Sequence, residues 1–133
     1  MNIGHVTIAV VVSGIAVSFT DWIFGGVLFH DKYLAHPEIW RRPGSPETPA
    51  IIGSTLLGFV TCGAFVTACP TFHIVGIRQT LEFALAIWLI APLPLLITNA
   101  LWIKMHPLTV VAHSLGWLAK LSVVAVITAV LVR

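Results

Sequence analysis

Apolar residues run through this chain in four long stretches, and polar residues gather almost entirely between them. The stretches read as helices over Val6–Phe29, Ala50–Cys69, Leu81–Ile103 and Leu108–Val132. A helix rises about 1.5 Å per residue, so about 20 apolar residues cross the roughly 30 Å hydrocarbon layer of a bilayer. Each stretch is that long, and none alternates with the two-residue period of a barrel strand. The pattern predicts an all-α fold: a four-transmembrane-helix antiparallel bundle, with residues 1–133 forming a single integral membrane domain. The first stretch reads as a retained span. Met1 to Val6 carries no Lys or Arg, the apolar run outlasts a signal-peptide core, and no small-x-small cleavage site precedes His30.

The connections support this division. His30–Pro49 carries Asp31, Lys32, Glu38, Arg41, Arg42 and Glu47. Its first half, Lys32–Trp40, reads as a short interfacial helix with Tyr33 and Trp40 at headgroup depth, and Pro43, Gly44, Pro46 and Pro49 end it. Pro70–Gln79 is the second connection. Lys104–Pro107 is a tight third one, which makes the last two spans antiparallel neighbours. Pro92 and Pro94 each remove a backbone donor and predict a kink in the third span. Small residues at four-residue spacing, Gly14 and Ser18 in the first span and Ser54, Gly58 and Cys62 in the second, predict faces where helices approach closely.

Composition narrows the class. Hydrophobic residues make up 58% of the chain and charged residues 9%, with a mean hydropathy of +1.00. A soluble domain carries roughly 25% charged residues. A net charge of +2 without a basic patch excludes nucleic acid as a partner. The expected partner is the lipid bilayer; four short helices leave little room for a lumen, so a homo-oligomer is expected if anything is transported. Lys32, Arg41, Arg42 and Lys104 outnumber the positive groups at the other end. That bias places the first and third connections in the cytoplasm of a cell (inner) membrane and both termini on the non-cytoplasmic side. Cys62 and Cys69 lie two turns apart on one helix, about 10 Å by rise, too far to form a disulfide. They read as small buried apolar residues.

The informative residues are those that cost energy in lipid. A charge at the bilayer centre costs at least about 2.5–3.5 kcal/mol on insertion scales, yet Asp21, Glu82 and Lys120 lie within the spans. Asp21 sits about 12 Å, and Lys120 about 18 Å, from the side of the first and third connections. Helical side chains lean toward the helix N-terminus. The first and fourth spans run in opposite directions, so the two heads converge, which predicts a buried Asp21–Lys120 ion pair. Thr98 and Asn99 on the third span lie in the same half of the bilayer. Thr109, His113, Gly116 and Lys120 share one face of the fourth. Together these predict an intramembrane polar patch of Asp21, Thr98, Asn99, His113 and Lys120. It is either a hydrogen-bonded fastening between helices or a site for a substrate, ion or proton. Glu82 and Arg78 read as an interfacial pair one turn apart.

Of the six histidines, His30, His36, His106 and His113 fall on one side, but no spacing among them is a ligand motif. His5 and His73 read as interface residues. No metal and no cofactor is expected, no catalytic residue is assigned, and phosphate-loop, dinucleotide, nucleophile-elbow and zinc-protease motifs are absent from the sequence.

The segment Asp21-Trp22-Ile23-Phe24-Gly25-Gly26-Val27-Leu28-Phe29, continuing to Trp40, resembles the first-helix aromatic motif of a family of small bacterial four-helix membrane proteins. That family is known only as a domain of unknown function. Thr98-Asn99-Ala100-Leu101-Trp102, then Pro107-Leu108 and the helix with His113 and Gly116-Trp117, is similar to its second signature. The resemblance covers nearly the whole chain and implies a four-helix fold in the bacterial inner membrane. It implies no activity, substrate or cofactor. The family pattern has a small residue where this chain has Asp21.

Three functional readings follow. In the first, a multi-pass protein binds or moves a small solute, ion or proton through the polar patch. In the second, it is a structural or assembly subunit of a membrane complex. In the third, it is a membrane enzyme acting on a hydrophobic substrate, with His113 and Asp21 as an acid–base pair.

Overall fold

The computed structural model describes residues 3–39 and 46–132. Helix α1 (Ile3–Trp22) runs on into a π-helical segment, Ile23–Leu28. The short α2 (His30–Leu34) and a 3-10 turn, Pro37–Ile39, follow. Then come α3 (Thr48–Thr71), α4 (Gly76–Ile90), α5 (Pro92–Trp102) and α6 (Pro107–Leu131). Four lengths are long and apolar enough to cross a membrane: Ile3–Leu28, Thr48–Thr71, Gly76–Trp102 and Pro107–Leu131. The fold is an all-α four-helix bundle with no strand among the described residues, which is compatible with a multi-pass membrane protein.

Prolines set several boundaries. Pro lies in the first turn of α3, α5 and α6, where its missing N–H costs nothing. The third span breaks at Ala91 (φ −120°, ψ −73°), directly before Pro92, as two closely spaced prolines dictate. This span begins at Gly76, five residues before the first apolar residue of the expected helix at Leu81. Gly76 takes φ +81°, and the Gln79 side chain accepts the Val75 N–H at 2.9 Å. Gly76, Arg78, Gln79 and Thr80 make the start of this helix too polar for hydropathy alone to include it. The expected interfacial helix Lys32–Trp40 is instead split. Pro37 disfavours helical geometry at His36, so α2 ends at Leu34 and only a 3-10 turn follows. Trp40, Arg41, Arg42, Pro43, Gly44 and Arg133 lie outside the described residues.

Helix α6 is central, with α1 and α4 packed along it, α5 beside it, and α3 held mainly by α1. The core consists of Ala9, Val17, Cys62, Phe65, Val66, Cys69, Ala84, Leu121, Val124 and Ala125. Both cysteines are free thiols. The small residues do what their spacing predicts only in part. The Phe59 ring occupies the place that a Cβ on Gly14 would take, whereas a Cβ on Gly58 would meet Val17 at 3.5 Å, an ordinary contact. Ser54 instead faces outward and donates to its own helix at the Ile51 carbonyl, 3.0 Å away. Large apolar side chains such as Ile8, Leu57, Leu89 and Leu101 point away from the bundle.

Candidate functional site

Lys120 Nζ lies 2.6 Å from Asp21 Oδ1, so α6 and α1 are joined by an ion pair deep in the bundle. The Lys120 side chain is 17% exposed and that of Asp21 33%. Lys120 also sits 4.9 Å from the centre of the Trp117 ring, a cation–π contact one turn back on its own helix. The pair does not fill its surroundings. It borders a cavity of about 130 Å³ lined also by Phe24, Gly25, Tyr33, Ala112, His113, Gly116 and Trp117.

Local irregularity makes this space. Directly after Asp21 and Trp22, the chain widens into the π-helical turn, in which the Phe29 N–H reaches back five residues to the Phe24 carbonyl (3.1 Å). Such turns recur at functional sites. A Cβ on Gly25 would meet nothing within 4 Å, so the turn is open there. Across from it stands Gly116 on α6; a Cβ there would meet the Phe24 ring at 3.7 Å, an ordinary contact distance. Tyr33, brought over by α2 and packed near Phe29 (ring centres 6.4 Å apart), covers the outer side. Burial lifts its phenol above the ordinary value. Behind the site, Trp88 Nε1 donates to the Ser114 carbonyl at 2.9 Å and pins α4 to α6.

Of the five residues of the expected patch, Asp21, His113 and Lys120 line the cavity. Thr98 and Asn99 do not; Thr98 is exposed and Asn99 half-buried on α5. The break at Ala91 separates the rotation of α5 from that of α4, and the depth of a residue along the bilayer says nothing about which way it faces. Sequence reasoning missed Phe24, Gly25 and Tyr33 as lining residues, although the Gly25-Gly26 pair was a signal of irregular backbone. Arg78 and Glu82 form the interfacial pair, Nε to Oε1 2.8 Å, both well exposed.

Two further features frame the site. On α6, Leu121, Val124 and Ala125 lie between Lys120 and Thr128, and on α3 Cys62 and Val66 join them; all five are at most 2% exposed. Beyond this dry layer a second cavity, about 340 Å³, is lined by His5, Cys69, His73, Thr80 and Thr128 among others. On the other side, where the first and third connections meet, the rings of His36 and His106 lie 4.2 Å apart and His36 Nδ1 is 2.9 Å from Glu38 Oε1. The Glu38 backbone, and after it the His36 ring, hold that carboxyl below its ordinary range. No protein-family model, no curated protein and no solved structure matches this chain.

Proposed function

We propose that this chain is a multi-pass protein of a bacterial inner membrane that binds a small solute, and most simply a small ion or a proton, beside the Asp21–Lys120 pair. One observation carries the reading: the pair opens on a cavity, with His113 and Tyr33 on its wall. A salt bridge that only fastens two helices has no use for a space beside it. At about 130 Å³ the cavity suits a few water molecules or one small ion, and it is too small to enclose a lipid substrate, which argues against the enzyme reading. Lys120, His113 and Tyr33 carry exchangeable protons, and the Asp21 carboxylate can accept one, within one small volume. The dry layer at Leu121, Val124 and Ala125 favours reversible binding from one side over passage through a single bundle.

The resemblance of the Asp21–Phe29 and Thr98–Trp102 segments to small bacterial four-helix membrane proteins supports the location. The excess of Lys and Arg supports a cytoplasmic mouth, with the termini on the other side. The fastening reading keeps one specific support, since the pair links α1 to α6 directly. The test is charge displacement on a solid-supported membrane, where binding alone moves charge, after jumps in pH or in simple salts. Wild-type protein is expected to give a transient. His113→Gln, on the exposed side of α6, and the charge-balanced Asp21→Asn/Lys120→Met variant are expected to lose it while remaining folded. Transients equal to wild type in both variants would overturn the proposal and leave the pair as a fastening.

A further inference from the structure

We infer that His36, Glu38 and His106 form a binding site for a divalent first-row transition metal of the zinc type, clipping the first connection of the bundle to the third. The ligating atoms of the three residues already lie within 4.8 Å of one another. They come from two segments remote in sequence: the turn after α2 supplies His36 and Glu38, and the capping residue just before α6 is His106. Ligand bonds of about 2.1 Å in a tetrahedral site put donor atoms about 3.4 Å apart. Closing on an ion therefore takes about 1 Å of side-chain movement. The His36 and Glu38 side chains are 39% and 61% exposed, so nothing in the core has to shift.

The donor set is suited to such an ion. Two imidazoles and one carboxylate favour zinc and its neighbours over magnesium or calcium, which take oxygen ligands. The protonation states also fit. His36 Nδ1 already faces Glu38 Oε1 at 2.9 Å; in the Nε2–H tautomer the ion takes the place of the Nδ1 proton between ring and carboxylate, so both groups ligate it. His106 Nδ1 accepts the Leu108 N–H at 3.2 Å and so carries a lone pair. Coordination there exchanges the amide for the metal and leaves the Nε2 proton in place.

A second observation points to the same place. Glu38, His106 and Thr109 border one cavity of about 530 Å³. The Thr109 hydroxyl oxygen is buried and has no hydrogen-bond partner among the described residues. Three protein ligands leave a fourth position for water, and the cavity beside Glu38 and His106 has room for it. Lys104, also on the rim, is exposed, and its charge is screened by solvent. This cluster is distinct from the Asp21–Lys120 cavity, and no residue lines both.

The test uses the full chain without an affinity tag, stripped with a chelator and held in lipid nanodiscs, titrated with zinc chloride by calorimetry. One zinc per chain is expected, with no heat from magnesium chloride. Glu38→Gln, on an exposed turn that cannot unfold the bundle, is expected to weaken zinc binding by about tenfold or more, the scale of losing a ligand or its support. His36→Gln/His106→Gln is expected to abolish it. His5→Gln, at the opposite end, is expected to bind as wild type does. X-ray absorption of zinc-loaded wild-type protein is expected to show two imidazoles in the coordination shell, which needs no variant to fold. Failure of wild-type protein to take up stoichiometric zinc, a shell without imidazole, or binding unchanged by Glu38→Gln and the double variant would each overturn the inference.

Discussion

The two halves of this bundle use the same kinds of residue in opposite ways. In the half nearer the termini, Ala9, Val66, Val124 and Ala125 are at most 1% exposed, and helices α1, α3 and α6 are regular there. The buried Thr128 hydroxyl stays in its own helix, donating to the Val124 carbonyl at 2.7 Å. In the half nearer the first and third connections, α1 gives way to a π-helical turn and the third span breaks at Ala91. The charged pair and the cavity lie there too. In lipid, where the hydrophobic drive between helices is weak, close packing and polar contacts must hold spans together. One half relies on close packing around Val66, Val124 and Ala125, with its own cavity set farther toward the chain ends and bordered by no ion pair among the described residues. The other relies on a charge pair, and its cavity is bordered by that pair.

Substitutions can break this contrast or sharpen it. Leu121→Ala, in the dry layer, is expected to cost about 3 kcal/mol, as deletion of a well-packed leucine does. Unfolding in mixed detergent micelles would show it, and the charge-displacement transient should survive under folding conditions. Loss of the transient in that variant would mean that the halves are not independent. Lys120→Met leaves Asp21 without its partner and is expected to cost about 2 kcal/mol, below the full range for buried pairs because Asp21 is one-third exposed. The Asp21→Asn/Lys120→Met double variant should recover most of that, and equal losses in single and double variants would show that the two groups do not couple. Gly14→Ala must displace the Phe59 ring, which has room to swing outward, and about 1 kcal/mol is expected in the same assay. Smallest is Ser13→Ala. The Ser13 hydroxyl is fully buried with no hydrogen-bond partner among the described residues. Its removal is expected to leave stability unchanged or raise it by up to about 1 kcal/mol. A clear loss would mean that this half also depends on polar contacts.

What the sequence made legible follows the physics of each feature. Four spans follow from run length alone, and the kink follows from Pro92 and Pro94. The meeting of Asp21 and Lys120 follows from rise per residue and the lean of helical side chains, both properties of regular helix. Thr98 and Asn99 were misplaced because the same arithmetic gives depth but not rotation once the break at Ala91 intervenes. The cavity was hidden because it depends on a change of helix type, and only Gly25-Gly26 hinted at it. The cluster of His36, Glu38 and His106 was out of reach for another reason. Its members are brought together where the turn after α2 meets the residue before α6, with the His36 and His106 rings 4.2 Å apart, and no sequence spacing encodes that.

The π-helical turn at Ile23–Leu28 has one further consequence. An α-helix turns about 100° per residue, so deleting one residue from a regular span would swing everything beyond it off its partners. A turn closed by a five-residue bond already holds a surplus residue. Deleting Gly25 would let the segment relax to ordinary α-helix while both flanks keep their facing. Along this span the chain thus has one place where its length is adjustable, and it lies beside the only ion pair described within the spans' interior.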